Sequence, residues 1–543
     1  MKFIIITIII FASIVSRAQN IEWVKSIGGI ESESIADMNL DNQGNIIITG
    51  AHGNDCDFDP STEEKIKTTP NKVTNQKNGF IAKYTNNGNL IWVQSLSANN
   101  NTFANQSCIT RTDNIVVCGS FIDTCDFDFD EDTFELYAPN QRRPYVLELN
   151  KDGGFINAFY YSFDTGFVQL VSIKADKFDN YYVYGYFGGN VDFDLKEDDY
   201  KIKSIDAEDI FLAKYDKNWD LLWVNSYGGE NSQRAADLEI SESGRIFFSG
   251  IFNNGIQMTN EPFILYNDGA MNGFFAEINP SGKLLWAQHL SSYGYVFGPQ
   301  LSIGHNDTIF VGARFTVDVD VDPSEKLKIL DPKNNEDVFI AKYTPDGKYI
   351  SSKQLYSSAF INISGLSVDK ENNQFIVGTF GDEIGFNSTF DKTLKTHGKN
   401  DAFFIRITSW GNVACAKSIG DINNDGISLV GLYENELIIA GAFLDSLDFD
   451  PSNSETIIGS NGNTDIFFGK YLPCNSGIGL DLEIPLRIEN SIYPNPTTGI
   501  INLNTGENEH HFIKIIDTYG KTVEFTKTFN NQINITALKS GIY

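Results

Sequence analysis

The sequence predicts an all-β molecule: a seven-bladed β-propeller closed by its own N-terminal strand, followed by a small C-terminal β-sandwich. Three observations carry this. Two strand-like markers recur in phase over seven copies. The composition is rich in Asn, Asp, Gly, Thr and aromatic residues and lacks long amphipathic helical runs. A spare strand stands near the N-terminus.

The first marker is an apolar run ending in glycine: IIITG (Gly50), IVVCG (Gly119), YYVYG (Gly185), IFFSG (Gly250), IFVG (Gly312), FIVG (Gly378) and LIIAG (Gly441), at intervals of 62 to 69 residues. The second keeps the same beat: FIAKY (Tyr84), YVLEL (Leu149), FLAKY (Tyr215), FFAEI (Ile278), FIAKY (Tyr343), FFIRI (Ile407) and FFGKY (Tyr471). Each copy reads as four short strands. In the first, Ala36–Asp41 is followed by a D-N-Q-G turn, the glycine-ended run, a D-F-D-P segment with a variable loop, G-F-I-A-K-Y, and L-I-W-V-Q-S (Leu90–Ser95). The seventh copy has no tryptophan strand after Tyr471, while I-E-W-V-K-S (Ile21–Ser26) opens the mature chain. That strand is expected to complete the last blade beside Phe467–Tyr471 and remove an exposed edge, bounding the propeller at 19–474.

Residues 1–18 read as an export signal: Lys2, the apolar run Phe3–Val15, and Ser16-Arg17-Ala18, with cleavage expected after Ala18. No later stretch has membrane-spanning length, so no integral membrane segment is expected once the signal is gone. The formal charge is −30, and −32 after Lys2 and Arg17 leave. Such a surface repels nucleic acid and anionic lipid, and no nucleic-acid partner is expected. Six cysteines (56, 108, 118, 125, 415, 474) enter an oxidising compartment, where pairing is allowed but sequence alone does not choose a connectivity. Cys108 and Cys118 flank Thr112-Asp113-Asn114 symmetrically and are placed facing each other across a hairpin.

Trp23, Trp92, Trp223 and Trp286 share one register. Aromatics there could stack sugars, but packing between blades is preferred because large aromatics dominate cores.

A three-residue segment follows each glycine run, with an acidic pair in five of the seven copies. Its first position reads Asp57, Asp126, Asp192, Gln257, Asp320, Gly385 and Asp448; its second reads Asp59, Asp128, Asp194, Thr259, Asp322, Asn387 and Asp450. The residue between is apolar in every copy: Phe58, Phe127, Phe193, Met258, Val321, Phe386 and Phe449. Strand alternation sends that side chain inward, as the repeat anchor, and the two carboxylates outward. Calcium is the one metal the pattern admits, with Asp126, Asp128, Asp130 and Asp318, Asp320, Asp322 as the nearest ligand sets, though a pair supplies two of six to eight oxygens. No cofactor is expected. No catalytic residue is assigned, because H-E-x-x-H, G-x-S-x-G, a phosphate-binding Gly-Lys loop and the S-x-D-x-G-x-T-W box of sialidase propellers are all missing.

After a linker at 475–487, residues 488–543 follow a different pattern. Tyr493-Pro494-Asn495-Pro496 with Gly499, the I-D-x-x-G-K run through Gly520, and L-x-S-G-I-Y with Gly541 together resemble the type A C-terminal sorting domain of the type IX secretion system of Bacteroidetes. The resemblance implies a β-sandwich that takes its cargo across the outer membrane and partners the secretion machinery. Members of that family run on through a last strand and a basic end, whereas this sequence stops at Tyr543, so the tail is read as incomplete there. The repeats, with D-F-D-P and D-I-F-x-x-K-Y, resemble the bacterial SBBP-like propeller repeats, which implies fold and little about activity.

The function expected is a binding or interaction module, secreted or held at the outer cell surface after passing the periplasm. Its ligand would be a glycan or a surface protein presented to one mouth of the ring. The alternative is an extracellular hydrolase or lyase acting on polysaccharide; a structural adhesion role is a third.

Overall fold

The computed structural model describes residues 21–472, apart from 62, 69–75, 197–198, 259–263, 268–269, 387–392, 435 and 452–454, together with five strands between 492 and 534. The expected signal (1–18) and linker (475–487) lie outside the described residues. The chain forms two compact units, Met1–Gly479 and Leu480–Tyr543.

The first unit is all-β and arranged as a β-propeller; the single helix among the described residues is one 3-10 turn, His305–Asp307. Each sequence copy folds as an antiparallel meander of four strands. In the first copy Ser34–Leu40, Ile46–His52, Asn78–Tyr84 and Leu90–Ser95 pair in that order. The second and third strands are buried along their whole length, which is why they read as continuous apolar runs. The turn after the first strand is built by Asp41, whose Oδ1 accepts the N–H groups of Gln43 and Asn45, both at 2.9 Å. Lys83, on the third strand, pairs with the Asp41 carboxylate at 2.9 Å, both side chains being buried. The fourth copy reverses the signs: Arg245 holds Glu277 at 2.6 Å.

In the seventh copy Gly426–Tyr433, Glu436–Phe443 and Asp465–Tyr471 form three strands, and Ile21–Ile27 takes the fourth place, with Trp23 opposite Lys470 and Ile27 opposite Ile466. Hydrophobic clusters fill the spaces between successive meanders. One joins Ile438 and Phe468 of the seventh copy to Ile46, Phe58 and Phe80 of the first. Trp23, Trp92, Trp223 and Trp286 each cover the glycine of the next copy's hairpin, Gly88, Gly153, Gly282 and Gly347. Those glycines have φ between +73° and +85°, and a Cβ on any of them would come within 3.0 Å of the indole.

The hydrogen bonding departs from the expectation of seven separate sheets. It gives six large sheets of four to eight strands. The eight-stranded one spans copies five and six because Tyr349–Ser357 overruns its meander and pairs Tyr356 and Ser357 with Gly385 and Ile384. Strands are also longer than predicted: Ile115–Asp126, Tyr181–Asp192 and Gln374–Gly385 run on to the first position of the acidic-pair segment.

The cysteine expectation is corrected. Cys56, Cys108, Cys118 and Cys125 are buried and free, and Cys415 is disulfide-bonded. Cys108 lies opposite Val116 and Cys118 opposite Gln106, so the two are diagonal neighbours, beyond comfortable disulfide reach. Cys474 lies outside the described residues.

In the second unit Ile492–Tyr493, Ile500–Leu503 and Gln532–Asn534 form a three-stranded sheet, and His511–Ile516 pairs with Thr522–Thr528.

Candidate functional site

The acidic pairs form one repeated device. In five copies Oδ1 of the first Asp (Asp57, Asp126, Asp192, Asp320, Asp448) accepts two backbone N–H groups, from the residues two and eight positions on, at 2.7–3.1 Å. The carboxylate thus closes its own loop. Oδ1 of the second Asp accepts one further amide in four copies, from Ser61, Asp130, Lys196 and Ser324. The apolar residue between is buried everywhere: Phe58, Phe127, Phe193, Met258, Val321, Phe386 and Phe449. Four of the phenylalanines meet a third-strand aromatic ring at 4.7–4.9 Å: Phe58 on Phe80, Phe127 on Tyr145, Phe193 on Phe211 and Phe449 on Phe467.

The sequence reading missed two partners of this device. Tyr84, Tyr215, Tyr343 and Tyr471 each donate their hydroxyl to the carbonyl of the middle residue at 2.8–3.0 Å. A signal for this existed, since the third-strand tyrosine occurs only in copies that carry the acidic pair. The backbone of the first position also pairs with the segment arriving from the preceding meander. The partners are Gly28–Asp57, Ser97–Asp126, Ser162–Asp192, Gly228–Gln257, Ser291–Asp320 and Tyr356–Gly385. The loop is therefore a strap between neighbours, and the sixth-copy strap is what fuses two meanders into the eight-stranded sheet.

Of the calcium candidates, Asp130 and Asp318 are exposed, while Asp126, Asp128, Asp320 and Asp322 direct Oδ1 at backbone amides. Among the described residues no group of three or more His, Cys, Asp or Glu could hold a metal ion.

A second carboxylate series lies on the third strands, at the first residue in three copies and inside Thr393–Ile407 in the sixth. Asp209, Asp337, Asp401 and Asp465 are fully buried, with Oδ2 accepting the N–H of the residue four positions earlier at 2.8–2.9 Å and Oδ1 without a partner. Burial pushes Asp209 and Asp465 up to about 6. The glycines Gly228, Gly420 and Gly28 are required opposite Asp209, Asp401 and Asp465, since a Cβ there would sit 2.1–2.3 Å from the carboxylate.

The same end of the sheets carries a set of arginines over aromatic rings. Arg142 lies over Phe103 at 5.1 Å, Arg143 over Phe163 at 3.7 Å and Arg234 over Tyr186 at 5.7 Å. Arg314 lies over Phe297 at 4.3 Å and Phe360 at 5.6 Å. Arg234 is held by Glu208 through two hydrogen bonds, at 2.6 and 3.1 Å. Arg143 donates to the Phe163 carbonyl and to Gln141. Arg314 reaches Glu336 only at 3.4 Å. It also borders a cleft of about 220 Å³ between copies five and six, shared with Phe297, Gly298, Gln300, Asn362 and Ile363. None of these residues was singled out from sequence, because they come from two copies and share no spacing.

In the tail, Tyr493 lies in a strand, while Pro494, Asn495, Pro496, Gly499, Gly520 and Gly541 fall outside the described residues. Residues 491–543 match the family described as Secretion system C-terminal sorting domain. An uncharacterized WD repeat-containing protein of Acanthamoeba polyphaga mimivirus is 22% identical over 515 residues, covering 77% of this chain; the chain spans only 36% of that protein. Among solved structures, the chain is similar to PorZ, described as an essential surface component of the type-IX secretion system of Porphyromonas gingivalis. That likeness has 12% identity, a TM-score of 0.26 and coverage of 95% of this chain and 79% of PorZ. For the Synechocystis apocarotenoid oxygenase the values are 12% and 0.34, over 83% and 96%. For Staphylococcus aureus virginiamycin B lyase they are 10% and 0.31, over 69% and 98%. The tail implies that the protein engages the type IX secretion machinery and is exported by it, to the cell surface or beyond.

Proposed function

We propose that the protein is a binding module: a ring of seven blades, closed by Ile21–Ile27, that holds a glycan or a surface protein at one mouth. The innermost strands support the count. Ser34–Leu40 touches Thr102–Ile109, and contact then passes in order through Ser162–Ala175, Gln233–Ile240, Val296–Ile303, Ile361–Val368 and Gly426–Tyr433, back to Ser34–Leu40. The straps, anchored by Phe58, Phe127, Phe193, Phe386 and Phe449, serve stability rather than calcium binding.

The observation that carries the functional reading is the rim. A chain of formal charge −30 places Arg142, Arg143, Arg234 and Arg314 over aromatic rings at one end of its sheets, and Arg314 borders a cleft. Arginine and aromatic groups are the anchors that interfaces favour. A screen of glycans and outer-surface proteins, recording both binding and turnover, tests this. Binding without turnover is the expected result, and product formation from a polysaccharide would establish the hydrolase or lyase alternative. Deleting residues 488–543 should leave the protein in the periplasm; undiminished export would overturn the assignment of the sorting tail.

A further inference from the structure

The innermost strand of the fifth copy places its bulge differently from the other six. In those six a skipped residue stands next to the partner of the marker glycine: Ala36, Asn105, Val171, Ala236, Ser364 and Ser428; the third copy also skips Asp164. In the fifth, Phe297 lies opposite Arg314 and Gln300 opposite Gly312, so Gly298 and Pro299 together face Ala313 and the one extra residue lies on the other side of the glycine's partner. Gly298 sits at φ +34° with open space where a Cβ would be, and Pro299 has no N–H to give a ladder. Bulges that re-aim side chains gather at functional sites, and local departures from a fold's own pattern are where function is expected. Here the displaced bulge borders the cleft.

The cleft has unused polar capacity of both kinds. Arg314 Nε is buried without a hydrogen-bond partner, and Nη1 is engaged only by the long contact to Glu336. Gln300 donates its amide N–H to the Ser364 carbonyl at 3.0 Å, which fixes the amide and leaves Oε1 buried and unpartnered. A ligand must therefore bring an acceptor for a guanidinium and a donor for an amide oxygen. Beside them Tyr295 and Phe297 are stacked with centroids 5.7 Å apart and planes 12° apart, and Tyr295 is half-exposed. A carboxylate alone leaves Gln300 unsatisfied, and a neutral sugar leaves Arg314 so. A carboxylated sugar supplies a planar acceptor that suits a guanidinium, hydroxyl donors, and a C–H face for the aromatic pair.

We infer that the cleft between the fifth and sixth copies is a subsite for a hexuronate unit of an acidic polysaccharide. Arg314 takes its carboxylate, Gln300 accepts from a hydroxyl, and Phe297, backed by Tyr295, borders the ring. This rests on the reading of the propeller as a binding module.

The test uses the full chain and isothermal titration with trisaccharides of galacturonate and of mannuronate, each beside its carboxyl-reduced counterpart. At least one uronate should bind while its reduced form does not. Arg314→Met should weaken that binding about tenfold or more, as loss of a charge-assisted hydrogen bond implies, without moving Tm. If Arg314→Met lowers Tm, Asn362→Ala, on the opposite wall, should weaken binding in its place. Equal binding of the reduced probe, indifference to both variants, or preference for an acidic peptide at this cleft would each overturn the hexuronate assignment. So would failure of both uronates in a protein that binds something else in the wider screen, which leaves the binding reading standing. Only failure of every glycan and surface protein overturns both.

Discussion

Asp57, Asp126, Asp192, Asp320 and Asp448 each hold two amides of their own loop, and that geometry sets what substitution does. Asp320→Ala strands both N–H groups and should cost about 1–3 kcal/mol, read as a lower urea midpoint. Asp320→Asn keeps an acceptor oxygen and should lose less than half of that. Because these oxygens are committed to backbone donors, millimolar calcium or a chelator should leave Tm unchanged; a rise of several degrees with calcium would show chelation instead. At this scale the sequence was informative where chemistry is local. The apolar residue between the aspartates is present in every copy, so its burial was legible. The amide eight residues on was not, because the loop between varies in identity and only its closing geometry recurs. Asp209 and Asp465 were missed for another reason: a polar residue before an apolar run reads as the end of a turn, and nothing in its spacing says that it is buried.

Strand Ile21–Ile27 shows how much an element owes to its partners. It covers the edge of Asp465–Tyr471, and its Trp23 seals Gly88 of the first copy. Deleting it should remove more than about 4 kcal/mol, the range of exceptional single losses, and a synthetic Ile21–Ile27 peptide added in excess should restore part of the lost Tm. An unchanged melting curve would sink the idea. The pairing of this strand was legible because the tryptophan strand missing from one end of the repeat stands at the other. The fusion of copies five and six into one sheet was not legible. It hangs on two residue pairs, and two pairs carry no periodicity. Cys108 and Cys118 failed as a pair on similar ground: they are symmetric about Asp113, whereas the hairpin centres on Thr112, with Ile109 opposite Ile115.

Across the whole molecule, buried acids decide the response to pH. Burial raises Glu33 and Asp425 to about 7 and Asp209 and Asp465 to about 6. Below the ordinary carboxylate range both states are protonated. As pH rises toward these values the unfolded chain ionises first, so stability is lost between about pH 4 and 7. His52 opposes them: burial holds it down to about 4, so its contribution is lost as pH falls below the ordinary histidine range. Four carboxylates outweigh one imidazole, and calorimetric Tm should fall from pH 5 to 7.5. Asp209→Asn with Asp465→Asn should flatten the slope, and a Tm that climbs with pH would contradict the account. The cleft was illegible at every level of the sequence, since Arg314, Gln300 and Asn362 meet only when two copies stand side by side around a bulge.

The pairing of Trp23 with Lys470 also sets an order of events. The first strand of the propeller to be made finds its partner in the last, so the loop that must close is nearly the whole of it. Closure entropy grows slowly with loop length, but contacts this distant in sequence are reached late. Until they are, the third strand of the final copy lies uncovered and the circle is a line. A chain paused, cut or carried across a membrane in that interval is still open, and closure records that synthesis has passed the strand Asp465–Tyr471.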